Sequence, residues 1–152
     1  MFITPHTSAA LWISTKVNDP ILAFFCAVIS HIILDIIPHG DDNLGDHKVS
    51  KRAKFFYELK IASVDVVFAC LLIYGYVITH PNIDGWVLFA AVSGAWLPDL
   101  SWVAIETFKI NVLYWYTIYH NKLHNFFNWQ YSIVYGVPFQ IAVTLLLIKI
   151  SF

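Results

Sequence analysis

The chain has 152 residues, 59% of them apolar and only 12% charged, with a formal net charge of −1. A soluble domain carries about 25% charged residues, so this balance excludes a disordered chain, a charge-driven nucleic-acid binder and an ordinary water-soluble globule. Both cysteines, Cys26 and Cys70, lie inside apolar runs, which argues against a disulfide framework or a cysteine zinc site. An integral membrane protein is expected, a single domain over residues 1–152 with no nucleic-acid partner.

Crossing a hydrocarbon core takes about 20 apolar residues in a helix. The first apolar stretch, Thr7–Ser14, is too short to span. It lacks a basic leader and a small-residue cleavage site, so it reads as a short N-terminal helix rather than a signal peptide. Four spans are expected after it, at residues 21–37, 61–79, 85–105 and 126–150, the last interrupted by Gly136 and Pro138. The predicted fold class is therefore all-α, a polytopic membrane helix bundle of four transmembrane helices plus the short N-terminal one.

The punctuation agrees with these bounds. Asn18, Asp19 and Pro20 start the first span, and Pro38 and Gly40 end it. Residues 80–84 form a tight turn. Lys51 to Lys60 mixes basic residues with Phe55, Phe56 and Leu59, as an interfacial segment does. Trp86, Trp102, Tyr114, Trp115, Tyr116, Tyr119 and Trp129 gather near span ends, as an aromatic belt does.

Lysine and arginine set the orientation. The connection from His39 to Lys60 holds Lys48, Lys51, Arg52, Lys54 and Lys60, and the turn at 80–84 holds none. The first connection therefore lies in the cytoplasm, as does the one carrying Lys109 and Lys122. The polar residues then lie near the cytoplasmic face, and a bacterial inner membrane is the expected location.

That topology gathers the polar side chains. His31, Asp35 and His39 end the first span, Asp65 begins the second, and Asp99 lies near the end of the third. His120 and His124 precede the fourth, and His6 joins them if the short helix crosses. Steps of four residues stack His31, Asp35 and His39 on one helix face, and likewise His120 and His124. Histidine and carboxylate one turn apart can chelate a divalent ion. Charges within a span cost about 2.5–3.5 kcal/mol each, and a cation would offset that cost. Asp65, or a carboxylate among Asp41 and Asp42, is read as the general base that orients a water. His47 and His80 read as plain loop residues, His80 on the opposite face.

Four segments carry a resemblance: Pro5-His6-Thr7, residues 30–39 around His31 and Asp35, residues 94–99 ending in Leu97-Pro98-Asp99, and residues 120–125 around His120 and His124. They resemble the membrane-bound metal-dependent hydrolase family, and the His-x-x-x-Asp helix and Leu-Pro-Asp end are also similar to zinc-dependent phospholipase C. The resemblance implies a helical hydrolase using a divalent metal, zinc first and manganese or iron next, on a lipid or phosphoester substrate. Its implied ligands are His6, His31, Asp35, Asp99, His120 and His124; the spacing adds His39. The rival expectations are a divalent-cation or proton transporter, and a structural membrane protein whose polar cluster only fixes helix packing.

Overall fold

The computed structural model describes residues 1–41, 44–127 and 132–152; Asp42 and Trp129, named above, lie outside them. The described residues form six α-helices and no strand: α1 (Ile3–Lys16), α2 (Pro20–Ile36), α3 (Lys51–Thr79), α4 (Gly85–Phe108), α5 (Tyr114–His124) and α6 (Ile133–Ser151), with a 3₁₀ turn at Asn111–Leu113.

Local chemistry fixes where most helices start. The Asp19 carboxylate accepts from the Leu22 amide at 2.7 Å, and Pro20 follows at a first-turn position where no amide hydrogen is needed. Ser50, Asp84 and Ser132 cap α3, α4 and α6 in the same way. No side chain of its own caps α1, and Asp65 of α3 does so instead. Its carboxylate accepts from the Thr4 amide at 3.0 Å and the Thr4 hydroxyl at 2.6 Å.

Two bounds differ from the expected spans. Helix α3 begins at Lys51 rather than at 61, because the basic segment holds no glycine or proline and Ser50 caps it. Helix α6 begins at Ile133 rather than at 126, directly after its Ser132 cap. Three helices, α3, α4 and α6, are long and apolar enough to cross a membrane. Helix α2, read as a span at 21–37, has 17 residues and falls short of that length.

The short helix α1 packs against α2, α3, α4 and α6, with most of its residues buried. Alongside it, α2 and α4 meet through Ala23, Ala27, Ala91 and Ala95. Gly94 closes that seam, since a Cβ there would stand 2.3 Å from the Phe24 carbonyl oxygen. The burial pattern is inverted. His6, His31, Asp35, His39 and Gln140 are buried, whereas Ile21, Phe25, Ile29, Phe68, Leu71 and Leu145 are exposed. Apolar outward faces suit a hydrocarbon surround.

Candidate metal centre

Five segments bring polar side chains to one end of the bundle: the start of α1, the end of α2 with residues 37–41, the second half of α4, α5, and the start of α6. Asp35 is the hub. Its Oδ2 lies 2.8 Å from His31 Nε2, 3.1 Å from His124 Nε2 and 3.9 Å from His120 Nε2. Its Oδ1 is held from the other side by His6 Nε2 at 3.1 Å and the Met1 amino group at 2.8 Å. Asp99 Oδ1 stands 3.3 Å from His120 Nε2 and 3.7 Å from His31 Nε2.

Two sets of donor atoms emerge, each within 4.8 Å of one another: His31, Asp35, Asp99 and His120, and Asp35, His39 and His124. Every expected ligand except His6 falls in one of them. His6 instead braces Asp35, with its ring stacked on His31 at 3.9 Å between centroids.

A divalent ion fits these donors on three observations. First, His31 Nδ1–H donates to the Ala95 carbonyl and His39 Nδ1–H to the Ile37 carbonyl, each at 2.7 Å. In a neutral ring that pairing would leave Nε2 unprotonated on the cluster side, as the outer hydrogen bond of a metal-bound histidine does. Second, the Nε2 atoms of His31, His39 and His120 are buried and make no aligned hydrogen bond, despite the nearby carboxylates. Third, among the described residues no lysine or arginine pairs with Asp35, Asp41 or Asp99.

Of the two carboxylates read as general base, Asp65 faces the start of α1 and Asp41 lies beside His39. Asp65 spends both oxygens on Thr4 at the start of α1. Asp41 Oδ1 lies 2.6 Å from His39 Nε2, and its Oδ2 lies 3.5 Å from the Met1 amino group. Burial alone would raise the Asp41 pKa, but the Met1 amino group and His39 outweigh it and hold the carboxyl well below the usual range. Burial pushes His124 below its ordinary value, with the Met1 amino group acting in the same sense and Asp35 opposing. His80 lies at the other end of the bundle, stacked on Tyr76.

The sequence reading passed over the supports of the site. Gln140 of α6 is buried; its Nε2 donates to the His39 carbonyl at 2.9 Å and its Oε1 accepts from the Phe2 amide at 2.8 Å. Gly136 lets the His39–Gly40 backbone approach α6, since a Cβ there would stand 2.2 Å from the His39 carbonyl oxygen. Tyr116 donates to the Pro98 carbonyl at 3.0 Å. Burial together with Asp99 and Asp35 pushes its phenol up to about 12, so it stays protonated. A lone glutamine in an apolar span was the one available signal for Gln140.

No protein-family model, curated protein or solved structure matches this chain, so the resemblance in its short motifs stands on those residues alone.

Proposed function

We propose that the protein is a membrane-embedded, divalent-metal-dependent hydrolase that acts on a lipid ester or phosphoester at the cytoplasmic leaflet, with zinc as the first choice of ion. The observation that carries this reading is the pair of Nδ1 hydrogen bonds from His31 and His39 to main-chain carbonyls, which leaves both Nε2 atoms in donor sets that share Asp35. Bound there, a divalent ion supplies a water of lowered pKa and polarises the scissile ester.

The chain's own residues provide the rest. His31, Asp35 and His120 form one wall of a cavity of about 200 Å³ between α2, α4 and α5. Its other walls are mostly apolar, with Ile32, Leu97 and Leu123 among them. Such walls suit a hydrocarbon chain and leave the polar end of a substrate against the His–Asp wall. Asp65 and Asp41 do not line this cavity, and proton transfer is assigned to neither.

The outward face of α2, with Ile21, Leu22, Phe25, Ile29 and Ile33 exposed, supports reading α2 as a fourth, short membrane-crossing helix. The basic run from Lys48 to Lys60 covers the end of the connection after α2 and the first turns of α3, and supports placing this end of the bundle in the cytoplasm. A relay through the bundle has less support. Beyond the cluster, Leu11 of α1 packs against Tyr76 and Leu88 in a buried apolar group.

The test is hydrolysis of a panel of phospholipids and polyprenyl phosphates by the metal-loaded protein in detergent. Turnover that is lost with a chelator and in Asp99→Asn is expected. A loaded protein inert toward the whole panel would contradict the hydrolase reading.

A further inference from the structure

Histidines of α2 and its exit pair with histidines of α5 at two levels. His31 faces His120 with ring centroids 6.3 Å apart, and His39 faces His124 with centroids 5.1 Å apart. Asp35 lies between the levels in sequence and belongs to both donor sets. Metal–nitrogen and metal–oxygen bonds are about 2.0–2.2 Å long, so two donors of one ion stand no more than about 4.4 Å apart. No single group of donors within 4.8 Å contains both His31 and His39. One ion therefore does not satisfy all of these histidines.

We propose that the cluster is a two-ion centre in which Asp35 bridges an ion held by His31, Asp99 and His120 and a second held by His39 and His124. This rests on the metal-dependent reading above and deepens it. Asp41 Oδ1 lies beside His39 Nε2 but belongs to neither donor set. Asp35 Oδ2 is the shared atom, lying against His31 Nε2 on one side and His124 Nε2 on the other.

The two positions differ in access. His31, Asp35 and His120 line the α2–α4–α5 cavity, whereas His39 and His124 do not. The His39 backbone is covered by α6, through the Gln140 hydrogen bond and the close seat against Gly136. The cavity-side ion is the exchangeable one that meets substrate. The α6-side ion is structural and ties residues 37–41 to α5.

The experiment uses the full chain in detergent, stripped with chelator and reloaded with Mn²⁺. Two ions per chain are expected, with an electron paramagnetic resonance spectrum showing exchange coupling. Their release to an added chelator should be biphasic. His124→Gln and His39→Gln, prepared separately so that one misfolded variant does not decide the matter, should each hold one ion with an isolated-ion spectrum and lose the slow phase. One ion per chain in the unsubstituted protein would overturn the two-ion centre while leaving a metal-dependent enzyme standing. Two ions without coupling would overturn the Asp35 bridge. No bound manganese, zinc or iron would overturn both.

Discussion

Gln140 reaches across the bundle to donate a 2.9 Å hydrogen bond to the main-chain carbonyl of His39. The same amide accepts from the Phe2 N–H, so one side chain of α6 ties the start of α1 to the exit of α2. Both segments carry histidines of the cluster around Asp35, His6 and His39. A site near a membrane face gains rigidity from such a clamp, because buried main-chain groups left without partners are costly.

Removing the clamp should loosen the centre without touching a ligand. Gln140→Leu leaves the His39 carbonyl and the Phe2 amide buried without their partner, at a cost of about 1–3 kcal/mol for an unmet buried group. A lower thermal unfolding midpoint is expected, together with weaker metal retention during chelator titration. Unchanged retention would show that residues 37–41 hold their shape without α6.

The Gly136 contact makes a sharper steric prediction. A Cβ there would stand 2.2 Å from the His39 carbonyl oxygen, and that oxygen is backbone that does not swing away. Overpacking costs of this kind run to about 1–3 kcal/mol or more. Gly75, in the interior of α3, has open space where its Cβ would go. Gly136→Ala should therefore unfold at a lower temperature than the parent, while Gly75→Ala should be neutral or stabilising by up to about 1 kcal/mol. Equal behaviour of the two would remove the case for close approach.

Asp65 belongs to the fold through α1. Asp65→Ala strips the cap from Thr4 and should cost about 0.5–2 kcal/mol, the usual range for losing a helix cap. Metal stoichiometry should be unchanged, since Asp65 is in neither donor set. Metal content and unfolding midpoint measured together separate this role from the general-base role expected from the sequence.

The pH response has a defined sign. Burial holds His124 below its ordinary value of 6.5, so the unfolded chain binds the extra proton first as the solution is acidified. Asp41 is likewise depressed below its ordinary 3.8 by the Met1 amino group and His39, despite burial. Both contributions are fully present above the ordinary values and are lost as pH falls toward the folded ones. In the metal-free protein the unfolding midpoint of the parent relative to His124→Gln should therefore drop as the pH falls below 6.5, with the Asp41 part lost only below 3.8. A parent that instead gains on His124→Gln over that range would contradict the burial of a neutral His124.

The helical class and the meeting of His31, Asp35, Asp99, His120 and His124 were legible in the sequence. Steps of four residues and alternating span directions are enough to place those side chains at one end. The split into two levels was not legible, because it depends on residues 37–41 turning back beside α5 after α2 ends. Nor was the role of Asp65, since a carboxylate near a span end looks the same whether it faces a metal or a helix start. The length of α1 was misjudged at Thr7–Ser14, because its first turn takes its cap from Asp65 of another helix and the proline at position 5 alone marks the start.

If the His–Asp cluster binds divalent metal, the purified protein carries that metal. Plasma mass spectrometry on the detergent-purified protein, beside Asp35→Asn and His120→Gln, reads it without any assumption about substrate. Stoichiometric zinc, manganese or iron in the parent and its loss in both variants are predicted. Metal absent from the parent, or retained in full by Asp35→Asn, would leave the cluster as a buried polar packing network.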